Sequence, residues 1–134
     1  MMGKDTDLIV QKQGGLVQVL SKDDMTQVLK PLTKELYLFD TYIAGTSHID
    51  DQSIFKTLKS GDTLILRRED NKFDDKAILV LTEQKTKLGY IPEKDNLIFA
   101  RLMDAGKMLI ARVEGIQEHV GFTQINIQIY LVDF

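Results

Sequence analysis

Two apolar runs, Thr63–Leu66 and Ala77–Leu81, flank a polar loop that carries Arg67, Arg68, Asp70, Asn71, Phe73, Asp74 and Asp75. Runs this short, bounded by turn signals, read as strands rather than helix faces. Ser60-Gly61-Asp62 turns the chain into the first, predicted as Thr63–Arg68. The second, Ala77 to Thr82, is apolar on both faces and is expected to lie centrally in a sheet. A loop held between two buried strands is where a small domain displays functional side chains. Here an aromatic residue stands next to a carboxylate, with two arginines just upstream, which reads as a recognition surface.

The rest of the chain extends the same pattern. Leu36 to Thr46 reads as a strand with Tyr42 near its end and Gly45 allowing a bend. Ile54 to Leu58 suggests a helical turn, and Lys87 to Ile91 a short strand stopped by Pro92. Glu93 to Ala105 is predicted helical, with Ile98, Leu102 and Ala105 as its apolar stripe, Phe99 and Met103 beside it, and Gly106 as its C′ residue. Met108 to Ile116 is a further strand. From Gln124 to Val132 the residues Ile125, Ile127, Ile129 and Leu131 alternate with Asn126, Gln128 and Tyr130. About six short strands and one long helix imply a mainly β domain that curls into a small barrel. Residues 1–35 read as an N-terminal extension, partly helical. Ser21 to Asp24 supplies a capping box, and Met25, Val28 and Leu29 share one helix face. The extension is expected either to pack on the barrel or to serve as a docking arm or dimer contact; residues 36–134 form the domain itself.

Composition narrows the function. A chain of 134 residues is one domain able to bury a core. It has no run long enough for a membrane span and no apolar segment behind its first residues that would act as a secretory signal. There is no cysteine, which excludes disulfides, thiol nucleophiles and cysteine zinc sites and fits a cytoplasmic protein. The two histidines, His48 and His119, lie in no ligand-like spacing and read as exposed loop residues. No phosphate-binding glycine loop or nucleophile elbow occurs, and Asp70, Asp74 and Asp75 do not match an EF-hand. Neither catalysis nor a cofactor is expected. The net charge of −3 argues against a strong, sequence-blind grip on nucleic acid, which needs several neutralised phosphates. Any DNA binding should have a small footprint, such as a strand end.

The candidate residues each carry two readings. Asp74 either caps local backbone N–H groups or accepts a hydrogen bond from a ligand hydroxyl; beside a phosphate it would be repelled, so it selects a free end. Phe73 either plugs the core and anchors the loop or offers its ring to a base. Asn71 suits an Asx-turn. Tyr42, at a strand end, is placed to expose its hydroxyl. Arg67 and Arg68 alternate, so at most one faces a phosphate, and Lys85, Lys87 and Lys94 either add positive potential or guard solvated edges.

An ordered set of these residues resembles the HIRAN domain, a module found at the N-terminus of helicase-like transcription factor and as small free-standing bacterial proteins. The set is Gly61-Asp62, Leu64, Leu66, Arg67, Asn71, Phe73-Asp74, Ala77-Ile78, Val80 and Leu88-Gly89-Tyr90-Ile91-Pro92. Tyr42 to Thr46 resembles the family's first strand, and Ile98 to Asp104 its helix. The resemblance implies a modified OB- or SH3-like barrel that binds single-stranded DNA at a 3′ end, as in DNA repair or replication-fork processing, for a helicase or nuclease partner. By the same resemblance Asp74 contacts the 3′-hydroxyl. Tyr42, Arg67, Asn71, Phe73, Tyr90, Lys94 and Phe122 complete the DNA-binding set. This sequence departs from the pattern at Thr41 and Ile43, where the animal protein has an arginine and a second tyrosine, and at Glu69 and Lys72, where the family has prolines. The alternative is a protein-interaction module that uses the N-terminal helix or an edge strand.

Overall fold

In a computed structural model of the protein, residues 34–133 are described. The helix expected through Met25, Val28 and Leu29 lies outside them. The described elements are strands β1 (Lys34–Tyr42), β2 (Thr63–Arg68), β3 (Ile78–Leu81) and β4 (Lys87–Tyr90), helix α1 (Glu93–Asp104), and strands β5 (Met108–His119) and β6 (Phe122–Asp133). Short 3-10 turns cover Thr46–His48 and Gln52–Thr57. The strands form one sheet in the order β1-β6-β5-β2-β3-β4. β2 pairs antiparallel with β3 and β5, β3 with β4, and β5 with β6.

The period-two alternation puts one face of each strand into the core. Ile125, Ile127 and Ile129 of β6 meet Leu109, Ala111 and Val113 of β5, Leu64 and Leu66 of β2, and Ile78 and Val80 of β3. β3 is buried at every position, as a strand with neighbours on both edges should be. The sheet curls until its two ends meet. Just past β1, the Ala44 N–H donates to the Tyr90 carbonyl at 2.7 Å, and the Tyr90 N–H donates to the Ala44 carbonyl at 2.9 Å. Gly89 makes this seam possible: a Cβ there would lie 2.3 Å from the Ala44 carbonyl oxygen.

β5 and β6 run further than expected, to His119 and Phe122, which pair across a two-residue turn at Val120-Gly121. Their polar ends conceal a ladder that the backbone continues on its own. Helix α1 has the expected span, but its buried face is Asn96, Phe99 and Ala100 rather than the stripe through Ile98 and Ala105; Ile98 is 67% exposed. The helix is turned so that the Phe99 ring packs at 5.6 Å against Phe39 of β1. Its end follows the Schellman pattern: the Gly106 N–H donates to the Met103 carbonyl and the Lys107 N–H to the Leu102 carbonyl, each at 3.0 Å.

Candidate nucleic-acid interface

The loop between β2 and β3 is held from inside by short polar bonds. Asn71 Oδ1 accepts from the Phe73 N–H at 2.8 Å, and the Asn71 carbonyl accepts from the Asp74 N–H at 3.2 Å. This Asx-turn faces Phe73 outward. The ring is 84% exposed, so Phe73 is not the core plug that an anchoring role requires. The loop is anchored instead by Arg68. Its guanidinium donates to the Ala77 carbonyl at 2.6 Å and the Asp75 carbonyl at 2.7 Å, and it pairs with Asp104 at the end of α1 at 2.9 Å. The Asp104 hydrogen bond raises the Arg68 pKa, leaving this cation committed to the fold.

Asp74 satisfies the local reading and leaves room for the other. Oδ1 accepts from the Lys76 N–H at 2.9 Å, and Oδ2 accepts from Asn96 Nδ2 at 2.9 Å. Each carboxylate oxygen can accept more than one bond, so both keep acceptor capacity. Asn96, buried in the first turn of α1, is the positioning residue that sequence reasoning did not single out. Phe73 and Asp74 line a groove of about 720 Å³ with Lys72, Lys76, Glu93, Lys94 and Leu97.

A second recess, about 340 Å³, opens where β1 leaves the sheet. Tyr42 and Phe122 line it, with Ala44, Gly45, Thr46 and Gln124. The Thr46 hydroxyl donates to the Thr123 carbonyl at 2.8 Å and ties the first 3-10 turn to β6. Lys94 links the two places: it lines the groove, and its ammonium stands 5.5 Å from the Tyr42 ring centroid. Asp95 pairs with Lys94 at 2.9 Å, raising the pKa of the ammonium, and also accepts from the Thr41 hydroxyl at 2.8 Å.

The remaining candidates sit differently. Arg67 is exposed on β2 and makes no side-chain hydrogen bond among the described residues. Asn71 is spent on the loop's own turn. The Tyr90 hydroxyl donates to Glu69 Oε1 at 2.5 Å under the Lys87 ammonium, so its side chain lines neither the groove nor the recess. Glu69, in place of a family proline, thereby fixes the start of the loop. Among the described residues there is no group of three or more His, Asp or Glu side chains that could hold a metal, and no helix long and apolar enough to cross a membrane.

The sequence matches the HIRAN domain over residues 36–132. This chain belongs to the HIRAN family. Among solved structures, a structural-genomics protein from Lactobacillus plantarum is similar at 30% identity and a TM-score of 0.70, covering 76% of this chain and 99% of that one. The HIRAN domain of human HLTF shares the fold at 15% identity and a TM-score of 0.60, over 75% of this chain and 79% of that one. No curated protein sequence matches. HIRAN domains are known in general as DNA-binding modules.

Proposed function

We propose that this HIRAN domain binds single-stranded DNA at a 3′-hydroxyl end, without catalysis, on behalf of a partner such as a helicase or nuclease that processes the strand. The observation that carries the reading is the pairing of an 84% exposed Phe73 with an adjoining carboxylate held by two donors. An exposed ring in a loop is a stacking platform for a base of any sequence. A fixed carboxylate beside it repels phosphate and accepts from a hydroxyl, which only a strand end offers. Tyr42 and Phe122 supply aromatic surface for further nucleotides, and Lys94 supplies a cation between the two places.

The test is fluorescence anisotropy on short oligonucleotides that differ only in a 3′-hydroxyl or 3′-phosphate. The hydroxyl form should bind at least about fivefold more tightly, since two like charges about 4 Å apart repel by about 1 kcal/mol even at the dielectric of bulk water. Asp74→Ala should remove that preference, and Tyr42→Ala should weaken both forms alike. Equal binding of the two forms by the unaltered protein would sink end recognition. No binding to either at low salt would favour the protein-interaction reading, for which Leu36, Tyr37 and Phe39 expose apolar surface on end strand β1.

A further inference from the structure

The recess between Tyr42 and Phe122 is lined by uncharged residues alone, Thr46, Thr123 and Gln124 among them. Each of its two aromatic walls is nevertheless backed by a basic side chain. Behind Tyr42 stands Lys94, with its ammonium 5.5 Å from the ring centroid. Against Phe122 lies His119, with ring centroids 4.8 Å apart and planes within 15° of parallel. Lys94 is charged at every physiological pH, whereas imidazole is the side chain whose ordinary titration falls between pH 5 and 8.

We infer that His119 is a further DNA-binding residue of this domain, one that extends the Phe122 stacking wall and, when protonated, adds a second cation at the recess. The inference rests on the single-stranded DNA reading above. Neutral, the imidazole adds flat surface alongside Phe122. Protonated, it adds one charge within reach of the phosphates flanking a base held in the recess, so affinity rises as pH falls through the histidine range. On its own face of the hairpin the pairs nearest His119 carry no charge. His119 pairs with Phe122 across the hairpin, and the next pair on the same face is Gln117 with Gln124, neither of which titrates. Glu118 is the adjacent carboxylate in sequence, and strand alternation sends it to the opposite face. The 3-10 turn that packs on β6 ends in His48, followed by Asp50 and Asp51; Asp51 already accepts from the Ser53 N–H.

The experiment measures binding of the full chain to an oligothymidylate with a 3′-hydroxyl between pH 8 and pH 5.5. Thymine is chosen because it does not protonate in this range. The unaltered protein should bind on the order of fivefold more tightly at pH 5.5, and its log–log salt slope should steepen by about 0.7, the value for one added phosphate contact on a single strand. His119→Gln should bind with the same affinity and slope at both pH values. His119→Lys should show at pH 8 the salt slope that the unaltered protein shows at pH 5.5, which a merely structural role for the ring would not produce. If the unaltered protein binds but His119→Gln keeps its pH response, or if His48→Gln abolishes that response instead, the assignment to His119 is wrong and the DNA reading stands. If the unaltered protein binds at no pH, both fall.

Discussion

At the scale of single residues, neighbours in the β2–β3 loop do opposite work. Asn71, Asp74 and Arg68 face inward and build the loop from hydrogen bonds, while Phe73 contributes nothing to its packing. Phe73→Ala should therefore change thermal stability by less than about 0.5 kcal/mol, the range of an ordinary surface substitution. The same change should weaken binding to single strands by about 1–3 kcal/mol, the worth of one stacked base. Calorimetric unfolding alongside a titration separates the two, and a large loss of stability would mean that the ring packs after all. The loop's residue types were legible in the sequence, but the direction of Phe73 was not. It follows from the Asx-turn at Asn71, and a turn of that kind has no periodicity to read. Asn96 escaped notice for the converse reason: a polar residue in the first turn of a helix reads as solvated, and only the packing of α1 on the loop buries it against Asp74.

At the scale of elements, alternation and turn chemistry reached most of the architecture. The Thr63–Arg68 strand, the Lys87 strand and the Glu93 helix were all placed to within a residue or so, because Gly61, Pro92 and Gly106 punctuate them. What pattern could not supply was the rotation of α1. Its sequence carries apolar residues on adjoining faces, Ile98 and Leu102 as well as Phe99 and Met103, and the tertiary contact of Phe99 with Phe39 selects between them. The most demanding single position is Gly89. Any side chain there collides with the backbone of Ala44, and backbone cannot step aside as a flexible side chain can. Gly89→Ala should cost more than about 3 kcal/mol, in the tail of single-substitution effects, with a fall in the midpoint of chemical denaturation as the readout. A midpoint close to that of the unaltered protein would show that the seam tolerates opening.

At the scale of the whole molecule, a net charge of −3 and a nucleic-acid reading are compatible because the 17 Lys and Arg are outnumbered by 20 Asp and Glu overall while Lys72, Lys76 and Lys94 gather at the groove. Arg68 and Arg112 are paired with Asp104 and Glu35 and serve the fold. Lys94 stands between the groove and the recess. A protein of this balance should discriminate by position rather than by bulk attraction, releasing long strands that a basic surface would retain.

The seam between Ala44 and Tyr90 has a dynamic consequence. Ala44 is at once half of the latch that closes the barrel and part of the wall of the Tyr42–Phe122 recess. An oligonucleotide seated there would rest on the latch, so local opening would require it to leave. Amide protons of Ala44 and Tyr90 should then exchange with solvent about a hundredfold more slowly at a ligand concentration a hundred times Kd. Amides of the β3–β4 turn, where the Thr82 N–H donates to the Thr86 carbonyl at 2.9 Å and the Lys85 N–H to the Thr82 carbonyl at 2.8 Å, should exchange at their former rate. Measured residue by residue, that contrast would make the closure of the barrel itself the reporter of an occupied site.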